Sequence, residues 1–306
     1  MSKKILVIGA GAIGSFYGGK LAQAGAEVST ISRSDFDVVK KNGIAVKSCL
    51  GDFHFSPQKT LRDVADYGEK PDFILVATKV LPEISVPDLI RPVLAAHTSI
   101  ILLQNGIHIE NEIAKSFPQQ HLISALAFVC VSKIAAGKIH HQDYGRLIVG
   151  DFPCDFPRGI SAKSLELVEL WKKSGVPVEV SENIQTERWK KLVWNAAFNP
   201  ISVLFGGLDT KKILENEEAK NLVENVMREV CILAEIDGCK LPENIVKKNI
   251  EMTQKMTPYK TSMLLDFEAK RKMEVEAILG NVVRFAEMKN IAVPHLARVY
   301  ALLKLK

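Results

Sequence analysis

At 306 residues, with 47% hydrophobic and 25% charged side chains, the chain has the make-up of a folded globular protein long enough for two domains, which sets aside disordered and membrane-embedded classes. Its 40 basic residues exceed its 35 acidic ones by only five, and the surplus is scattered along the chain, which argues against a nucleic-acid groove and suits small anionic ligands. Five cysteines (Cys49, Cys130, Cys154, Cys231, Cys239) form no CxxC pair, and seven histidines, His140 and His141 among them, form no HxxxH or HExxH pattern, so neither a disulfide framework nor a metal site is expected.

The chain enters an apolar strand at once, over residues 5–8, leaving no room for a signal peptide. No apolar stretch reaches the ~20 residues of a membrane span, so the expected location is the cytoplasm. That first strand runs directly into Gly9-Ala10-Gly11-Ala12-Ile13-Gly14, and residues 15–24 can continue as a helix. In this context the glycine spacing is a dinucleotide cradle: Gly9 permits the sharp turn, Gly11 lets the backbone approach a pyrophosphate, and Gly14 lets helix and strand pack closely. The free N–H groups at the helix start then face the anion. A second strand at 27–31 ends in Ser32-Arg33-Ser34, where NAD-selective sites commonly hold a carboxylate. A guanidinium there takes a 2′-phosphate instead, which favours NADP, although Asp35 stands close by.

Further strands are predicted at 73–77, 99–103 and 122–131, alternating with amphipathic segments in the manner of a parallel, doubly wound sheet. A short hairpin is predicted between 44–46 and 52–55. Lys79 and Asn105 follow the ends of two strands, at the edge of an open parallel sheet where ligands bind; a solvated lysine and an Asn-Gly turn are the plain alternatives. His140, 147–150 and 176–180 supply more strand, with a helix over 162–174 that Gly175 stops. The first domain is therefore expected to span residues 1–182.

Residues 183–306 form the second domain, in which the pattern has period 3.6 over 184–204, 216–237, 242–254, 262–289 and 294–304, punctuated by Gly238, Pro242, Pro258 and Pro294. In the first of these helices Lys191, Asn195 and Asn199 stand at i, i+4 and i+8, each about 40° around from the last, so one ammonium and two amides share a stripe. Their neighbours Leu192, Val193, Trp194, Ala196, Ala197 and Phe198 are apolar, and a buried polar stripe needs partners. Pro200 is expected to kink or break the helix just beyond Asn199.

Taken together and in order, Gly9-x-Gly11-x-x-Gly14, Arg33, Thr78-Lys79, Gln104-Asn105-Gly106, the run 189–200, and Thr261-Ser262-Met263-Leu264-x-Asp266 followed by Glu274 closely resemble the ketopantoate reductase family over nearly the whole chain. The resemblance implies an α/β, Rossmann-type N-terminal domain and an all-α C-terminal domain like that of 6-phosphogluconate dehydrogenase. It also implies an oxidoreductase that reduces 2-dehydropantoate to (R)-pantoate with NADPH, on the route to pantothenate and coenzyme A. Lys191 is then the general acid, and Asn105, Asn195, Asn199 and Ser262 bind substrate. Gly9, Ala10, Gly11, Ala12, Ile13, Gly14, Arg33, Lys79, Asn105, Cys130 and Glu274 fall at cofactor positions. Read without the family, Ser262 is a helix cap and Glu274 a member of the charged surface run 270–276. Several residues depart from the family pattern: Leu265 for a glutamine, Met273 for a threonine, Glu276 for an aspartate, Leu279-Gly280 for Asn-Gly, Cys130 for a small residue, and Asp209 where some members carry asparagine. These leave two alternatives: a reductase of another 2-keto acid, or a dinucleotide sensor without turnover. The expected partner is a small 2-keto acid, with no nucleic acid or membrane, and the apolar stripes of the C-terminal helices leave a homodimer open.

Overall fold

The computed structural model describes residues 2–153 and 160–306; Cys154 lies outside the described residues. The chain divides into two compact units. The first comprises Met1–Lys79, Ile84–Gln104 and Glu110–Ile184, and the second Val80–Glu83, Asn105–Ile109 and Gln185–Lys306.

Among the described residues of the first unit, ten strands make one sheet: β1 (Lys4–Ile8), β2 (Glu27–Ile31), β3 (Ile44–Ser48), β4 (Phe53–Phe55), β5 (Thr60–Leu61), β6 (Phe73–Val76), β7 (Ser99–Leu102), β8 (His121–Ala135), β9 (Lys138–Phe152) and β10 (Val178–Val180). Their order is β4-β3-β9-β8-β7-β6-β1-β2-β5, with β10 beside β9. The helices of this unit are α1 (Ala12–Gln23), α2 (Phe36–Asn42), α3 (Val86–Ile90), α4 (Glu110–Ser116) and α5 (Ala162–Lys173). Side chains alternate across a strand, so an all-apolar strand must bury both faces. Ile5 and Val7 accordingly pack with Phe16, Leu21 and Trp171, and Leu6 and Ile8 with Ile74, Ile90 and Leu102. Strand β1 has parallel neighbours on both sides, β2 and β6, so the winding reverses there and the turn leaving β1 opens at the switch point.

The sheet differs from an all-parallel expectation at β8 and β9, which pair antiparallel over fifteen residues each. Only Ala136 and Gly137 separate them, and a two-residue link makes a hairpin, whereas parallel strands need a crossover of a dozen residues. The separate strands expected at His140 and 147–150 are thus one strand, β9. The inserted hairpin is present as β3 and β4, antiparallel to each other, and β3 joins β9 in parallel.

The second unit is helical: α6 (Ile184–Leu204), α7 (Thr210–Glu215), α8 (Glu217–Ile236), α9 (Ile245–Lys255), α10 (Ser262–Glu268), α11 (Asn281–Met288) and α12 (Pro294–Leu303). Their apolar stripes meet in one core around Trp189, Phe198, Val226, Leu233, Leu279 and Leu296. Here the break expected at Pro200 is absent and one expected helix is divided. Helix α6 continues through Pro200 to Leu204 without a break. The proline stands in the last turns, where one lost N–H costs one hydrogen bond, and the Ser202 hydroxyl donates to the Asn199 carbonyl at 2.7 Å. The single helix expected over 262–289 is instead interrupted: α10 ends where Lys270 takes φ 52°, residues 271–274 are non-helical, and a π turn, Glu276–Gly280, leads into α11. The charged run Lys270-Arg271-Lys272 offers no apolar anchor for a helix, and Arg271 folds back to donate from its backbone N–H and its guanidinium to Asp266. Helices α2, α3, α4 and α7 and strand β5, each seven residues or fewer, were not expected because they are too short to show a period. Among the described residues no helix is long and apolar enough to cross a membrane.

Candidate functional site

Two constellations, one in each unit, contain the residues singled out in the sequence. In the first unit the glycine turn has three different physical reasons. Gly9 has φ +95°, and a Cβ on it would lie 2.6 Å from the Thr78 amide nitrogen. A Cβ on Gly14 would lie 2.3 Å from the Gly9 carbonyl oxygen. Gly11 has neither constraint: φ is −79° and nothing stands within 4 Å of a built Cβ. Packing therefore explains two of the glycines and does not explain the third, which leaves open space beside the backbone at the start of α1. Gly11 is also the cap of α1, no side chain caps that helix, and its first turn (Ala12, Ile13, Gly14) carries no acid, as an anion site requires.

This turn opens into a cavity of about 280 Å³ lined by Gly9, Ala10 and Gly11, by Ile31 to Asp35, and by Arg62, Asp63, Thr78 and Lys133 among others. Arg33 is exposed, and among the described residues its guanidinium has no hydrogen-bond partner, as suits a ligand contact. Asp35 is otherwise occupied: its carboxylate accepts from Lys133 Nζ at 2.8 Å, Ser34 Oγ at 2.8 Å and the Gly137 N–H at 3.2 Å. Burial would raise the Asp35 carboxyl, but these three donors hold it below its ordinary value. Arg62 and Lys133 were not singled out in the sequence. They stand 29 and 100 residues beyond Arg33 in the chain, Arg62 just after β5 and Lys133 on β8, and no local pattern marks them. Gln104 fixes the cavity wall by donating from Nε2 to the Thr78 carbonyl at 2.9 Å and to Thr78 Oγ1 at 3.0 Å. Lys79 follows Thr78 and is half-buried. Cys130 sits on β8 opposite Asp143 and does not line this cavity.

In the second unit Lys191 Nζ donates to Asn105 Oδ1 at 2.9 Å, Asn105 Nδ2 donates to Glu274 Oε2 at 3.4 Å, and Glu274 Oε1 accepts from the Val80 N–H at 3.0 Å. This chain fixes which end of the Asn105 amide faces the ammonium. Glu274 lies in the non-helical stretch before the π turn, so the break in the expected helix releases it from the surface-pair role. Asn105 is held by the loop it begins. Gly106 has φ +110°, and a Cβ there would lie 2.6 Å from the Ala277 carbonyl oxygen. Arg188 donates to the Gly106 carbonyl at 3.1 Å, Ile107 N–H to the Ala277 carbonyl at 3.3 Å, and Asn281 Nδ2 to the Ile107 carbonyl at 2.8 Å. His108 meets Asp237 at 2.9 Å, and the same Asp237 oxygen accepts from Gln185 at 2.6 Å and Trp189 at 2.8 Å. Burial would raise the Asp237 carboxyl, yet its hydrogen bonds from His108, Trp189 and Gln185 keep it low. These supports come from four separate segments, and only Gln104-Asn105-Gly106 was visible as a block.

Along α6, Asn195 is half-buried and Asn199 is buried, on the stripe that Lys191 begins. The Ser202 hydroxyl lies 2.7 Å from that of Thr261 and so brings the start of α10 to the Asn199 turn. Thr261, not Ser262, caps α10 by accepting from the Leu264 N–H at 3.2 Å, which leaves Ser262 as an exposed first-turn hydroxyl. Asp209 caps α7. Of the residues departing from the family pattern, Glu276 is engaged by Arg284 at 2.6 Å and Tyr300 at 2.8 Å, and Leu279 is fully buried in the helical core. Leu265 and Met273 are half-buried, Met273 directly beside Glu274.

Two family models match the chain: ketopantoate reductase PanE/ApbA over residues 5–153, and ketopantoate reductase PanE/ApbA C terminal over residues 183–306. A 2-dehydropantoate 2-reductase of Nostoc sp. is 35% identical over 303 residues, covering 99% of this chain and 94% of the relative. The crystal structure of a 2-dehydropantoate 2-reductase from Methylococcus capsulatus is 49% identical, covers 98% of this chain and 96% of its own, and superposes with a TM-score of 0.90. D-mandelate dehydrogenase in a ternary structure with NADH and anilino(oxo)acetate is 19% identical, with 98% and 97% coverage and a TM-score of 0.87, a likeness of fold.

Proposed function

We propose that this chain, which belongs to the ketopantoate reductase PanE/ApbA family of oxidoreductases, reduces the C2 ketone of 2-dehydropantoate to (R)-pantoate with NADPH, on the route to pantothenate and coenzyme A. The observation that carries this reading is the Lys191–Asn105–Glu274 chain of hydrogen bonds. NADPH, when bound, supplies the hydride that adds to the ketone carbon. The developing negative charge on the ketone oxygen then needs a positive donor, and the Lys191 ammonium stabilises it and gives up the proton that completes the alcohol. Asn105 holds that ammonium in one direction, and Glu274 and the Val80 N–H hold Asn105, so the donor is oriented before the charge appears. Asn195, Asn199 and the Ser262 hydroxyl supply neutral hydrogen-bonding groups for the carboxylate and hydroxyl of the substrate. In the first unit, Gly9, Ala10, Gly11 and the first turn of α1 (Ala12, Ile13, Gly14) hold the pyrophosphate, Arg33 the 2′-phosphate, and Lys79 a phosphate or ribose oxygen. Gly11, a glycine with no packing reason to be one, is the feature that fits a dinucleotide.

A second reading, reduction of a related 2-keto acid, is favoured by Leu265 and Met273, apolar residues where the family carries polar ones. Steady-state oxidation of NADPH and NADH over a panel of 2-keto acids separates the two. The proposal expects the highest kcat/KM for 2-dehydropantoate with NADPH. A different acid preferred by about tenfold or more transfers the assignment to the second reading, and no turnover with any acid rejects both.

A further inference from the structure

The cavity beside the glycine turn is lined by three cations, Arg33, Arg62 and Lys133, and two acids, Asp35 and Asp63. Asp63 accepts from the Ala65 N–H at 2.9 Å. Arg62 lies with its guanidinium 4.2 Å from the centre of the Phe36 ring and pairs with the exposed Asp37 at 2.8 Å. Asp35 is the unusual member. It is the cap residue of α2, where an aspartate normally accepts from its helix's own N–H groups, yet its side chain caps nothing. The carboxylate turns instead to the tip of the β8–β9 hairpin, to Lys133 Nζ and the Gly137 N–H, and is only 8% exposed. A carboxylate at this corner is the group that selects ribose hydroxyls over a 2′-phosphate.

Building on the NADPH reading above, we propose that Lys133 is a specificity-determining residue: by holding the Asp35 carboxylate in an ion pair, it keeps a ribose-selecting acid out of use and leaves Arg33 to receive a 2′-phosphate. With Lys133 in place the cavity carries one more cation than acid. Without it the two signs balance and Asp35 is released toward the ribose. Lys133 therefore acts through Asp35, and the two residues are coupled across 98 positions of sequence.

Direct binding of NADPH and NADH, read by fluorescence titration of the full chain, tests this on Lys133→Gln, Asp35→Asn and the double variant. The Kd ratio of NADH to NADPH is expected to fall about tenfold in Lys133→Gln and to return to within about threefold of the parent in the double variant, since no carboxylate then remains to be released. An unchanged ratio in Lys133→Gln overturns the proposal. So does a double variant no better than the single, which would make Lys133 a direct phosphate contact. Lys133→Arg keeps the charge and is expected to keep the ratio. If Lys133→Gln does not fold, Asp35→Asn alone must hold or raise the preference for NADPH, and a loss of preference there overturns the proposal. The parent ratio scores the NADPH reading, while the change on substitution scores Lys133, from whichever side of unity the parent starts.

Discussion

The two constellations are built from different materials. The glycine turn of the first unit is made of backbone: three glycines within six residues, a helix start and a strand end, all contiguous in the chain. The Lys191 cluster of the second unit is made of three side chains and the Val80 N–H, paired across 86, 169 and 194 residues, and Val80 and Asn105 come from short segments that belong to the helical unit. A backbone site is fixed by a few local dihedral angles and is therefore written as a motif. A side-chain site is fixed by tertiary packing, and only the members on one helix face can share a local pattern.

The largest effect that would sharpen this contrast is at Asn105. Asn105→Ala removes the acceptor of Lys191 and the donor to Glu274, and should lower kcat by about a hundredfold. A kcat within a few-fold of the parent would mean that the cluster does not orient its ammonium.

In the first unit, Gly11→Ala and Gly14→Ala form a matched pair. Gly14→Ala forces a contact at 2.3 Å with backbone and should cost about 2 kcal/mol of stability in urea unfolding. Gly11→Ala meets nothing and should leave stability within about 0.5 kcal/mol while weakening NADPH about tenfold. Equal effects on stability would erase the distinction between a packing glycine and a ligand glycine.

A smaller effect asks whether the first unit also depends on a side-chain joint. Asp151 accepts from His121 at 2.9 Å, from the Ser161 N–H at 2.6 Å and from the Ser164 hydroxyl, tying β8, β9 and the start of α5 together. Burial opposes ionisation there, and these donors overcome it and push the carboxyl down to about 2 from its ordinary 3.8. A lowered carboxyl contributes stability that is present above about pH 4 and lost as pH falls toward 2, of order 1–2 kcal/mol. Asp151→Asn should lose that increment at pH 6 and show a flatter decline in acid than the parent. Parallel acid profiles would remove Asp151 as a cause.

The strands around the glycine turn, the stop at Gly175, helix α6 and the Lys191 stripe were all legible, because each rests on a period or a punctuating residue within a few positions. The apolar pattern of a buried strand carries no direction, so it does not separate the β8–β9 hairpin from parallel strand; the two-residue link at Ala136-Gly137 does. The break before Glu274 was hidden because the apolar residues on either side of 269–275 keep a helical phase, while the left-handed Lys270 and the Asp266–Arg271 contacts depend on packing. Of the candidate site, Gly9, Gly11, Gly14 and Arg33 could be read directly, and the Lys191–Asn195–Asn199 stripe by helix geometry. Asn105 was marked by its place at the end of a strand, with an Asn-Gly turn as the plain alternative, whereas Ser262 and Glu274 rested on the resemblance to a family. Arg188, Asp237, Arg62 and Lys133 gave no signal, since each matters through a partner far away in the sequence.

The central claim is that Lys191 protonates the ketone oxygen as hydride arrives. Single-turnover hydride transfer from NADPH to 2-dehydropantoate in Lys191→Ala, with NADPH affinity measured on the same sample, tests it most directly. The account predicts an unchanged Kd for NADPH and transfer slowed by about a thousandfold. Transfer within about tenfold of the parent rate, by a folded variant that still binds NADPH, would contradict it.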